Sequence, residues 1–143
     1  FFIVNGTTAA VQTMIFTICK AGDKIIMPRN VHRSAINALV VCGAIPVYVN
    51  PGTNKQLGIP LGMSVKDVEK AIKENPDAKA VLVNNPTYYG ICSDIKSIVK
   101  LAHEHGMLVH MALTFILVRV CLALQWRQEQ IWRQYQYTKQ EEA

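Results

Sequence analysis

The sequence is short of several things that would commit it to a partner or a compartment. Its four cysteines, Cys19, Cys42, Cys92 and Cys121, show neither CxxC nor metal-ligand spacing. That favours reduced thiols in a cytoplasmic protein over a disulfide framework or a metal site. Basic residues outnumber acidic ones for a net charge of +5, yet no lysine or arginine cluster stands beside aromatics, so no nucleic-acid partner is expected. No membrane span is expected either, since the apolar stretch 111–124 is short and Arg119 interrupts it. The chain opens on Phe1 in a strand-like run, with no initiator methionine and no signal-peptide layout, and so reads as the interior of a longer protein. Glycine and proline are missing from residues 110–143, unlike everything before them.

What is present is half hydrophobic over 143 residues, enough for one domain with its own core. Strand-like runs at 1–4, 24–27, 46–49, 80–83 and 107–109 alternate with helix-like segments at 9–20, 31–42, 64–74 and from Ser93 or Asp94 to 104. The punctuation agrees. Gly43 and Gly106 stand where helices stop, Ser64 and Asp67 resemble a capping box, Asn75-Pro76-Asp77 ends the third helix, and residues 50–62 form a Gly/Pro/Asn-rich loop. Short apolar runs without alternation imply strands covered on both faces, and linking helices make the sheet parallel. The fold class is therefore α/β, a truncated three-layer α/β/α mainly parallel sheet over residues 1–109, followed by a helical tail over 110–143. In that tail Leu113, Ile116, Leu117, Val120 and Leu124 follow helical spacing.

Ligands of such sheets collect at the carboxyl ends of the strands. Three polar loops leave from those ends, at 5–8, 29–33 and 84–90. In the first, Asn5-Gly6-Thr7-Thr8 opens a long apolar helix, where unpaired N–H groups and the positive dipole end suit a phosphate. The same residues also read as an ordinary turn with a threonine N-cap. His103 and His105, at i,i+2 spacing on a helix, point to different faces and do not make a metal pair.

Taken together, Phe2-Ile-Val-Asn-Gly-Thr-Thr8, Ala21-Gly-Asp-Lys-Ile-Ile26, Arg29-Asn-Val-His-Arg-Ser-Ala35 and Asn85-Pro-Thr-Tyr-Tyr-Gly90 resemble, in order, the major domain of the Orn/Lys/Arg decarboxylases. These are pyridoxal-phosphate (PLP) enzymes with the aspartate-aminotransferase-like fold, and they build their sites across homodimers or larger assemblies. The resemblance implies a basic amino-acid substrate and PLP as cofactor. Gly6, Thr7 and Thr8 would hold its phosphate, His32 would stack on its pyridine ring, and Thr87 would lie near its face. His32 also reads as a histidine that caps its helix, and Tyr88 and Tyr89 as packing residues.

The resemblance stops near residue 109. There the family continues with Asp-Glu-Ala-His-Gly, and later supplies the lysine that carries the cofactor; neither motif stands here in frame. Regrouping the tail's codons, each triplet starting at the last base of the preceding codon, lets 111–119 be read His-Gly-Thr-His-Phe-Tyr-Phe-Gly-Glu. Residues 126–143 regroup to a run containing Ser-Val-His-Lys, its lysine arising at the codon of Lys139. The tail is thus expected to be an out-of-frame continuation, with no catalytic residue in this chain and Lys139 without a catalytic role. Other readings of the chain are a non-catalytic α/β module that binds a phosphate-bearing ligand or a partner, and a folded domain whose tail lies on membrane surfaces.

Overall fold

The computed structural model describes residues 6–112. The strand expected at 1–4 and residues 113–143 of the helical tail expected over 110–143 lie outside the described residues; residues 110–112 of that expected tail are strand, not helix. The chain runs α1 (Gly6–Ile18), β1 (Lys24–Pro28), α2 (Arg33–Cys42), β2 (Ile45–Val49), β3 (Thr53–Asn54), β4 (Ile59–Pro60), α3 (Val65–Glu74), β5 (Ala80–Asn84), α4 (Ile95–Glu104) and β6 (Leu108–Ala112). Four strands form one parallel sheet in the order β2-β1-β5-β6, while β3 and β4 pair antiparallel beside it.

The apolar runs work as their lack of alternation requires. Ile25 and Met27 face one side of the sheet, with Ala80 and Leu82, and meet Val11 and Ile15 of α1 and Ala35, Ala38 and Leu39 of α2. Ile26, Val81 and Val83 face the other side and meet Val68, Ala71 and Ile72 of α3 and Ile98 and Ala102 of α4. Two helices per face make the three layers. Only the inner strands are covered throughout. At the outer positions of the sheet among the described residues, Ile45 of β2 and Leu108 of β6 are exposed, so the expectation of strands covered on both faces does not hold throughout β2 and β6.

Helix ends follow their capping residues. Ser64 accepts the N–H of Asp67 at 3.1 Å, but the Asp67 carboxylate takes the Ser64 hydroxyl at 2.6 Å instead of reaching back to the backbone, so the box is half formed. Asp94, not Ser93, caps α4 through the N–H of Ser97 at 3.2 Å. Gly43 adopts the left-handed conformation that ends α2.

Several boundaries differ from the sequence reading: α2 starts at Arg33, not residue 31, which leaves His32 as its N-cap. Helix α1 starts at Gly6, not residue 9, so the glycine and both threonines belong to its first turn. Strand β6 extends to Ala112 because Asn84 pairs with it.

Candidate functional site

Chain direction puts the polar loops at one edge. Helix α1 leads through a turn over 19–23 into the start of β1, so its N-terminus lies about 20 Å back, at the carboxyl edge. Helix α2 follows the end of β1 and also begins at that edge. The two helices pack together on one face, which brings Gly6, Thr7, Thr8 and His32 to the same end of the same layer. All four are exposed. Gly6 has φ +86°, which a side chain would strain, and the first-turn N–H groups of any helix lie outside its own i→i−4 ladder.

His32 is the N-cap of α2. Its Nδ1 accepts the backbone N–H of Ser34 at 3.2 Å and lies 2.9 Å from the Ser34 hydroxyl. Because an amide can only donate, the ring's own N–H sits at Nε2. The capping role considered from sequence is thus observed, and it also fixes the plane of an imidazole whose face stays open to solvent. Beside it, Arg29 is held by a guanidinium–ring contact to Tyr48 at 4.7 Å and by donation from Nε to Asn50 at 2.9 Å. Arg29 and Arg33 make this edge electropositive.

The third loop is built around buried polar residues. The Asn85–Pro86 bond is cis. Asn85 donates its N–H to the carbonyl of Ala112 at 3.0 Å and accepts the N–H of Ser93 at 2.8 Å. Ser93 in turn accepts the N–H of Met63 at 3.0 Å. Thr87 is buried, and its hydroxyl accepts the N–H of Ile91 at 3.2 Å, so it organises the turn at this edge. Tyr88 and Tyr89 do not pack into the core. They stand exposed, edge to face, with centroids 5.4 Å apart.

One residue escaped the sequence reading. His110, in the middle of β6, is 3 % exposed, and neither Nδ1 nor Nε2 has a hydrogen-bond partner among the described residues. Burial pushes its pKa down to about 4. The only signal was a polar residue in an apolar strand, legible once the register pairs it with Leu82. Elsewhere, His105 bonds the Leu101 carbonyl at 2.9 Å at the end of α4. Burial, and then the nearby Cys42, push the Cys19 thiol up to about 11, which leaves it unreactive. No group of three metal-ligating side chains occurs among the described residues, and no described helix is long and apolar enough to cross a membrane.

Comparison with known proteins places this edge in a context. The chain is 45% identical over 120 residues to an arginine decarboxylase of Bacillus subtilis, a match covering 77% of this chain and 24% of the relative. It therefore spans about a quarter of that relative's length. Among solved structures, a Thermus thermophilus aspartate aminotransferase variant superposes with a TM-score of 0.63 at 22% identity, over 77% of this chain and 30% of that one. A PLP-bound aminotransferase structure from Clostridium difficile 630 gives 0.61 at 19% identity, over 74% and 27%. These likenesses show the fold. The family described as Orn/Lys/Arg decarboxylase, major domain, matches residues 1–117, and the chain belongs to that family.

Proposed function

We propose that this chain is the cofactor-cradling part of a PLP-dependent decarboxylase of a basic amino acid, and that alone it binds the cofactor without turning substrate over. The observation that carries the reading is the side-by-side start of α1 and α2 on one face of the carboxyl edge. There the exposed Gly6, Thr7 and Thr8 open α1 at the same edge as His32, whose ring is oriented by its contacts with Ser34. The donor set fits PLP: α1's opening turn suits its phosphate, the His32 ring suits its flat face, and the two orphaned nitrogens of His110 suit a polar atom on that ring.

On this reading Gly6 lets the backbone approach the phosphate, and Thr7 and Thr8 add hydroxyl donors. His32 covers the ring while Ser34 keeps it from rotating. Thr87 shapes the wall of the site by holding its turn closed. Arg29 and Arg33 raise the local concentration of anions. When bound, PLP supplies a conjugated ring that draws electrons from an amino acid's α-carbon. The chain offers no residue in the family's lysine context to hold it covalently, so no catalytic residue is assigned and the tail is read as an out-of-frame continuation. The substrate of the whole protein is a small basic amino acid, and its assembly is a homodimer or larger.

Absorbance titration of the chain with PLP tests the proposal. Saturable binding, weakened about tenfold by Thr7→Ala through loss of one charge-assisted hydrogen bond, is expected. Binding indifferent to Thr7→Ala and to His32→Asn would favour a module that does not use this edge, and would overturn the reading.

A further inference from the structure

We propose that His110 is the floor of the cofactor site, a buried hydrogen-bond donor to the ring nitrogen of PLP. This rests on the reading of the α1–α2 edge as a PLP site and adds a contact to it. His110 is an anomaly without such a role. The residue is 3 % exposed and neither ring nitrogen has a partner among the described residues, and leaving a buried polar group unsatisfied is costly. Its cross-strand neighbour Leu82 is fully buried at no such cost.

The register says which way the ring points. Leu82 faces the α1–α2 layer, and Ala112, two residues beyond His110, packs against that same cluster. Since side chains on a strand alternate, His110 shares the face that carries α1's first turn and His32. It lies two residues, about 7 Å, below the carboxyl end of β6. His110 is thus a polar group on the α1–α2 face, beneath the edge where α1 and α2 begin.

The ligand's chemistry matches. In PLP the ring nitrogen lies para to the aldehyde, so an aldehyde presented outward to an amino acid turns the nitrogen inward. An imidazole kept neutral by burial offers one N–H, and a pyridine nitrogen offers one lone pair. The nitrogen would then accept a hydrogen bond without being protonated, which leaves the ring a weaker electron sink than a pyridinium.

The test is NMR of the full chain with 15N-labelled histidine, assigned through His110→Leu, during titration with PLP and separately with inorganic phosphate. PLP is expected to shift a His110 ring nitrogen by several ppm, whereas inorganic phosphate leaves both ring nitrogens unmoved. His110→Leu is expected to weaken PLP about tenfold, the loss of one good hydrogen bond, without changing phosphate binding, and His110→Asn, which restores a donor, to recover part of that loss. If PLP binds saturably while the His110 nitrogens stay unmoved and His110→Leu binds equally well, this proposal falls and the PLP reading survives. If wild-type chain shows no saturable PLP binding, the PLP reading itself has failed and takes this one with it.

Discussion

Gly62 lies so close to Ser93 that a Cβ on Gly62 would sit 2.4 Å from the Ser93 hydroxyl oxygen. Ser93 has little room to retreat, because Asn85 holds its N–H at 2.8 Å and its hydroxyl accepts the N–H of Met63 at 3.0 Å. The contact joins the lead-in to α3 to the loop that follows β5.

Gly62→Ala should therefore destabilise the chain by about 1–3 kcal/mol, the range for overpacking a site that cannot relax. The backbone of Gly62 is not in the left-handed region, so the penalty is steric. Urea unfolding of Gly62→Ala alone and with Ser93→Ala checks this. The alanine at 62 should cost less once the hydroxyl is gone, and an unchanged cost in the double variant would refute the steric account.

His110 predicts how stability follows pH. Its folded-state pKa, about 4, lies below its ordinary 6.5, so between those values the unfolded chain takes up a proton that the folded chain refuses. Its contribution is complete above about pH 7 and declines as pH falls toward 4, by about 3 kcal/mol in all. Asp94, lowered by its hydrogen bonds from Ser97, loses its contribution only at more acid pH, so the upper window belongs to the histidine. Denaturation series from pH 7.5 to 4.5 should slope for wild type and flatten for His110→Leu.

His32 combines a cap with an open ring face, and two substitutions separate them. His32→Ala removes the acceptor for the Ser34 N–H and should cost about 1 kcal/mol of stability. Asparagine is a good N-cap, so His32→Asn should restore most of that while losing the aromatic face. Thermal melts read the first property and PLP titration the second. Equal PLP affinity in wild type and His32→Asn would confine His32 to capping.

The tail makes a genetic prediction. Its codons should regroup, one base back, into the family's continuation with Ser-Val-His-Lys ending near Lys139, and sequencing the encoding DNA reads this directly. Purified chain should release no measurable carbon dioxide from arginine, lysine or ornithine. Codons that cannot be regrouped would rule out the frame explanation.

How much was legible in the residues varied with the physics behind each feature. Ile25-Ile26-Met27 and Val81-Leu82-Val83 announced strands covered on both faces because their apolar runs lack alternation, while their inner place in the sheet needed the structure. Ser64, Gly43 and Gly106 marked helix ends because each meets a local need of the backbone. The β3–β4 pair went unseen inside the 50–62 loop, since two residues per strand carry no periodicity. His110 went unseen because its predicament depends on register with Leu82 and on which helices cover that face. The edge carrying Gly6, Thr7, Thr8 and His32 was legible from loop polarity and chain direction, and so was a capping role for His32, but its partner Ser34 needed the structure.

The strand order has a consequence for how the chain comes into being. Strand β1 pairs on one side with β2, its near neighbour in sequence, but its other side waits for β5, with Ile25 meeting Ala80. Until the ribosome has delivered residues in the eighties, a half-made chain carries a strand of isoleucine and methionine with one flank open. Loop closure over that span is slow relative to local pairing, so this flank stays open longer than the one that meets β2.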